Sequence, residues 1–142
     1  MPRVDSESLV RYARTDVLYS RSFDGVSDLS SVRRAARQAL SVHGVPLGNI
    51  DAVVLVLSEL VTNALWHARA PYVAAVKRNP RGITIVEVAD CGDGDASVRE
   101  PDESGGYGLH LVNQLTDVWG VHDDPALGGK IVWAALGDGR RL

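Results

Sequence analysis

Cysteine is almost missing from this 142-residue chain: Cys91 stands alone, so no intramolecular disulfide can form and a Cys-based zinc site is excluded. The four histidines, His43, His67, His110 and His122, fall in no short metal-ligand spacing. Lysine is scarce, two residues against thirteen arginines, and the fifteen bases are outnumbered by eighteen acids for a net charge of −3. A chain whose main task is to grip a nucleic-acid backbone is expected to be basic, so no direct nucleic-acid partner is expected. No uninterrupted apolar run reaches the roughly 18 residues of a membrane span. The opening Met-Pro-Arg-Val-Asp lacks the apolar core of a signal peptide. A cytoplasmic location without a membrane partner is the expectation. What remains is ordinary for a globular chain: 45% hydrophobic and 23% charged residues exclude wholesale disorder. A chain of this size buries about two-thirds of its unfolded surface, enough for one independent core.

Residues 1–15 are polar and read as an arm, loose or briefly helical, and 16–142 read as a single domain. Val17 to Phe23 alternates as a strand does, and Asp24-Gly25 closes it. Ser27 or Asp28 then caps a helix to about His43, with Leu29, Val32, Ala36, Ala39 and Leu40 on the helical period and Gly44 and Pro46 as stops. A second helix is predicted from about Asn49 to Ala68, capped by Asn49 or Asp51, with Pro71 beyond its end. Tyr72–Lys77 and Ile83–Ala89 read as a hairpin across Asn79-Pro80-Arg81-Gly82. The polar stretch 90–106 is too long for an ordinary connection, and such loops are usually functional or disordered. A short helix over Gly108–Leu115 and strands over Asp117–Val121 and Lys130–Leu136 complete the pattern. Its order implies an α+β two-layer sandwich, helices on one face of a mostly antiparallel mixed sheet.

The second helix carries an acid and an amide. Ile50, Val53, Val54, Leu57, Leu60, Val61, Ala64 and Leu65 fall in one arc, the expected core face. Glu59 and Asn63 lie outside it, one turn apart and sharing a face. Spacing alone fits a solvated side as well as a site. Leu55, Val56 and Trp66 project on that same side, so the helix reads as apolar nearly all round and buried. A covered carboxylate and carboxamide are costly unless something binds them. An amide oxygen is a hard ligand suited to Mg²⁺, and a neighbouring carboxylate can deprotonate a nucleophile. His67, a further turn on, fits a histidine at a helix C-terminus.

Two glycine clusters follow. In Asp90-Cys91-Gly92-Asp93-Gly94 the alternate glycines allow either a tight turn or close approach of a flat ligand. Gly105-Gly106-Tyr107-Gly108-Leu109 opens the short helix, where bare backbone N–H groups can form an anion site or the segment can hinge. Neither cluster is a Walker A loop or a dinucleotide fingerprint.

Taken in order, Glu59-Leu-Val-Thr-Asn63-Ala64, Asp90-Cys-Gly92-Asp-Gly94 and Gly106-Tyr-Gly108-Leu109 resemble the N, G1 and G2 boxes of the GHKL ATPase superfamily. The closer likeness is to the small anti-sigma-factor serine kinases and related actinobacterial regulatory ATP-binding proteins. Ser58 to Ala64 with His67-Ala68, Leu111-Val112, Trp119-Gly120 and the closing Gly129 to Trp133 all take part, so the resemblance covers about residues 22–136. It implies a Bergerat ATP-binding fold with ATP and Mg²⁺ as cofactors. Glu59 matches the general base, Asn63 the Mg²⁺ ligand and Asp90 the acceptor for the adenine amino group. Gly92 and Gly94 match the base pocket, Gly106, Gly108 and Leu109 the phosphate donors, and 95–105 the lid.

Two departures stand out from that pattern. Tyr107 replaces the usual arginine of the second glycine box, and Ile131 stands where a threonine belongs to the adenine-side network of relatives. The first removes a cation near the phosphates and the second implies weaker nucleotide affinity; both bear on turnover more than on binding. Arg33, Arg34 and Arg37 on the first helix read either as solvated charge or as a surface for an acidic partner. The resemblance points to a sigma factor and an anti-anti-sigma protein, and to homodimers in relatives. A nucleotide-dependent or nucleotide-free binding switch without phosphotransfer is the alternative. A histidine-kinase catalytic fragment ranks below both, since the sequence shows no phospho-acceptor histidine segment.

Overall fold

The computed structural model describes residues 15–25, 28–91, 112, 115–124 and 128–137. Strand β1 (Asp16–Phe23) leads into helices α1 (Leu29–Val42) and α2 (Leu47–His67); β2 (Tyr72–Arg78), β3 (Thr84–Ala89), β4 (Val118–Asp124) and β5 (Gly129–Leu136) follow. The five strands form one sheet in the order β1-β2-β3-β5-β4, and every pairing is antiparallel. Both helices lie on one face of it, giving the expected α+β sandwich.

Local chemistry explains the turns. At the end of α1, Val45 N–H bonds Leu40 O at 3.0 Å and Gly44 N–H bonds Ser41 O at 3.0 Å, with Gly44 at φ 76°. This is a Schellman cap, closed by the buried pair Val45 and Leu40. In the β2–β3 turn, Asn79 Oδ1 accepts from Arg81 N–H and Ile83 N–H, both at 2.9 Å, and Gly82 takes φ 84°. The Asx turn that residue type favours is what closes the hairpin.

The start of α2 differs from the sequence expectation. The helix begins at Leu47 with Pro46 as its N-cap, and neither Asn49 nor Asp51 caps it. Asp51 is engaged elsewhere: Arg37 Nη1 on α1 donates to its Oδ1 at 2.8 Å. Asp28 does sit at the N-cap of α1, without a side-chain capping bond. Arg21 on β1 ties that helix start down instead, donating to Ser31 Oγ at 2.7 Å.

The core lies between helices and sheet, where Val32, Ala36, Leu40, Val56, Leu57, Leu60, Val61, Ala74, Val76, Val86 and Ala134 are wholly buried. Length and composition alone would let α2 cross a bilayer, with mean hydropathy 1.3 over its most apolar window, yet it serves here as the central core helix. It is not covered all round, as its composition suggested. Val56 is buried, but Leu55 is 41% and Trp66 66% exposed on the side opposite the sheet. The predicted helix over Gly108–Leu115 lies outside the described residues apart from Val112, which is buried, and Leu115, which is exposed. Val112 O accepts from Thr116 N–H at 3.0 Å and from Thr116 Oγ1 at 2.7 Å.

Candidate functional site

Where β3 runs out, its last residues meet the end of α2. Cys91 N–H donates to Arg69 O at 3.2 Å, and Cys91 Sγ donates to Ala70 O at 2.9 Å. Tyr72, at the start of β2, donates its hydroxyl to Ala68 O at 3.2 Å and stacks on Phe23 with ring centroids 5.1 Å apart. These bonds fix the short connection after α2 against the end of the sheet. Asn63 stands about 6 Å along the axis from Glu59 and about 7.5 Å before Ala68, by the helical rise.

Asp90 is the buried acid of this corner, 4% exposed. Its N–H bonds Lys130 O at 2.9 Å, so β5 continues the pairing one step past β3. By strand alternation Asp90 follows Thr84, Val86 and Val88 onto the helix-facing side of the sheet. Burial, followed by the neighbouring charges of Asp90 and Cys91, pushes the Tyr72 hydroxyl above its usual range. The phenol therefore remains a neutral donor beside the acid.

Gly129 is required by the same close approach. A side chain there would strike the Asp90 carbonyl and come within 2.6 Å of its Oδ1. Tyr72 and Gly129 were both missed as site residues by sequence reasoning. The closing Gly-Lys was legible as a motif, but its purpose depends on which strand lies beside it.

Glu59 and Asn63 stay on one side of α2, both partly buried. That is the arrangement expected of a carboxylate and an amide that remain reachable. Among the described residues no group of three or more His, Cys, Asp or Glu side chains could hold a metal alone. Mg²⁺ needs no such cage, since it keeps waters and binds through one or two protein oxygens plus phosphates. A single Asn63 oxygen fits that habit, and a buried carboxylate, acceptor-only when ionised, fits an exocyclic amine. Gly92, Gly94, Gly106, Tyr107, Gly108, Leu109 and the lid at 95–105 lie outside the described residues.

Ile131 is a correction. It does not face this corner but packs with Ile85, Trp133 and Ala135 on the helix-free side of the sheet. It pairs with Ala89, one step from Asp90, and that one-residue offset sends its side chain to the opposite face. Its replacement of a threonine therefore removes no hydroxyl from the Asp90 side. Of the three arginines, Arg33 and Arg34 are exposed, while Arg37 holds the ion pair with Asp51.

An open α+β sandwich with a buried acid just past the end of β3, and a helix bearing Glu59 and Asn63 one turn apart, is the arrangement these residues present. The model of the histidine kinase-like ATPase domain matches residues 25–136, and the chain belongs to that family. Its fold is similar to the crystal structure of the RsbU and RsbW domains of Rv1364c from Mycobacterium tuberculosis, with TM-score 0.60 and 20% identity over 84% of this chain. The chain spans 32% of the length of that structure. No curated protein matches it by sequence.

Proposed function

We propose that this chain is an ATP-binding regulatory protein of the cytoplasm, an anti-sigma factor with serine-kinase activity toward an anti-anti-sigma partner. The observation that carries the reading is Asp90, a carboxylate buried at the end of β3 on the side of the sheet where α2 presents Glu59 and Asn63. Asp90 accepts from the adenine amino group, with Gly129 bare so that the Asp90 backbone can sit close. Asn63 offers its amide oxygen to Mg²⁺. Glu59 takes the proton of the attacking serine hydroxyl. When bound, Mg-ATP would supply the γ-phosphoryl group to the serine oxygen and leave as ADP, the β–γ P–O bond breaking, and positioning would do most of the protein's work.

A protein substrate fits the surroundings better than a small one. Leu55 and Trp66 stand exposed on the open side of α2 to either side of Glu59, apolar surface that a docked protein substrate would cover. Arg33 and Arg34 on α1 are the free cations for an acidic partner surface. A second reading keeps nucleotide binding but no transfer, favoured by Tyr107 in place of the family's arginine.

Calorimetric titration of Mg-ATP into the chain, beside Asn63→Ala and Asp90→Asn, tests the site. Binding to the parent and its loss in both variants is expected; no binding to the parent at millimolar nucleotide overturns the reading. Phosphotransfer to an anti-anti-sigma protein, abolished by Glu59→Gln with Mg-ATP binding retained, then separates the kinase from the switch.

A further inference from the structure

Asp90 is the middle of a row of side chains that crosses the whole sheet. Phe23 stands opposite Tyr72 between β1 and β2, and Lys130 stands opposite Asp123 between β5 and β4. One step beyond the Val73–Ala89 and Ala89–Ile131 pairs, the register brings Tyr72, Asp90 and Lys130 side by side. The bond from Asp90 N–H to Lys130 O, at 2.9 Å, holds the last of these steps. Lys130 follows Leu136, Ala134 and Val132 along β5, so alternation turns it to the helix side with Asp90. Ile131 goes to the other face. The residue that β5 presents beside Asp90 is therefore the lysine before it.

Opposed side chains in such a row begin about 4.5–5.5 Å apart, close enough for a carboxylate and an ammonium to meet one small ligand. Tyr72, on the other flank of Asp90, is already engaged: its hydroxyl goes to Ala68 O and its ring stacks on Phe23. Lys130 is not. Among the described residues the ion pairs belong to Arg21, Arg37 and Lys77, and Lys130 makes none although acids stand on both sides of it. The other lysine, Lys77, is locked to Glu87 at 2.6 Å. The row thus offers a covered acceptor, Asp90, next to a half-buried donor with its three N–H bonds uncommitted.

Adenine presents the complementary pattern, since its amino group donates and the ring nitrogens on either side of that group accept. Guanine has a carbonyl oxygen in place of the amino group and so offers the carboxylate no donor there. We propose that Lys130 is a second base-reading residue, its ammonium donating to a ring nitrogen that flanks the adenine amino group while Asp90 accepts from that group. Resting on the nucleotide reading of Asp90, this role assigns Lys130 to the base and not to the phosphates.

Amine labelling reads the contact in the unaltered full chain, because Lys77 and Lys130 are its only lysines. The chain is treated with trace acetic anhydride alone, with saturating adenosine, or with Mg-tripolyphosphate, and each lysine is followed by mass spectrometry. Adenosine should slow labelling of Lys130, Mg-tripolyphosphate should not, and Lys77 should stay constant as the internal reference. Lys130→Met then removes the donor at similar length. Mg-ATP and adenosine should each bind it about tenfold more weakly than the parent, as expected for one hydrogen bond from a charged group. Whichever of 1-deaza-ATP and 7-deaza-ATP lacks the contacted nitrogen should bind parent and variant alike, and Lys130→Arg should keep most of the affinity.

Adenosine that binds but leaves Lys130 labelling unchanged overturns the proposal. So does a loss in Lys130→Met that is equal for Mg-ATP and both deaza analogues, because the lysine would then act on the phosphates or on the fold. Should the variant not fold, the labelling result alone decides. A parent chain that fails to bind Mg-ATP overturns the nucleotide reading and this role together, whereas binding to which Lys130 is indifferent overturns this role only.

Discussion

Along α2, Val53, Leu57, Leu60 and Val61 are sealed against the sheet and α1, whereas Leu55, Glu59 and Trp66 look the other way with Asn63 at their margin. The sealed side consists of aliphatic groups that exclude water. On the open side a charge, an amide and two exposed apolar groups lie within three turns of one another. A single helix thus holds the fold together with one half of its circumference and offers chemistry with the other. The division makes the two roles separable by mutation, because side chains on opposite sides share no partners.

The sharpest break of that division is Leu57→Ala. Removing a wholly buried leucine beneath the helix costs about 2–5 kcal/mol, read as a lowered denaturation midpoint with an unchanged slope. Glu59→Gln on the other side should leave the midpoint close to that of the parent while abolishing phosphotransfer. Gly129→Ala comes next and joins the two roles at one position. Its methyl group would push the Asp90 main chain aside, an overpacking cost of about 1–3 kcal/mol. Mg-ATP affinity should fall with it.

Tyr72→Phe comes third, because it removes one hydrogen bond, to Ala68 O, of about 1 kcal/mol. It carries a pH signature as well. The Tyr72 hydroxyl is raised above 10.0 by burial and by the charges of Asp90 and Cys91. The unfolded chain therefore loses this proton at lower pH than the folded one. The contribution is fully present below about pH 10, the unfolded tyrosine value. It declines as pH rises from there through the folded value. Tyr19, raised by burial and partly offset by Arg21, declines in the same direction. Chemical denaturation followed from pH 9 upward should show stability falling, and Tyr72→Phe should make that fall shallower.

Much of the fold was legible because it is local. Asn79-Pro80-Arg81-Gly82 and the Gly44 stop each act through bonds spanning a few residues, and the helix-turn spacing of Glu59 and Asn63 needs only the helical period. The errors came where distant segments decide. The helix start was misplaced because Asp51 is claimed by Arg37 from another helix. Ile131 is expected on the adenine side because relatives carry there a threonine of the adenine-side network. The register of β5 against β3 gives it the other face. The same register makes Gly129 necessary, which no local pattern announces. Leu55 and Trp66 were read as buried by composition, though only the placement of α1 and the sheet decides which side stays open.

The smallest expected effect concerns that Arg37–Asp51 pair, and it sharpens the contrast from outside the core. The pair bridges α1 and α2 at 2.8 Å, with the two side chains 46% and 64% exposed. Exposed ion pairs contribute about 0–1 kcal/mol, because water already solvates both charges and ordering two long side chains costs entropy. Arg37→Ala should therefore move the denaturation midpoint little, and added salt should erase most of the difference. Its neighbours Arg33 and Arg34 are exposed, so a partner that needs α1 should respond to their removal far more than to that of Arg37. Partner affinity measured for Arg33→Ala, Arg34→Ala and Arg37→Ala in parallel distinguishes the cases. Equal losses at all three positions would mean that the partner pulls Arg37 away from Asp51, making the ion pair a competitor of the complex.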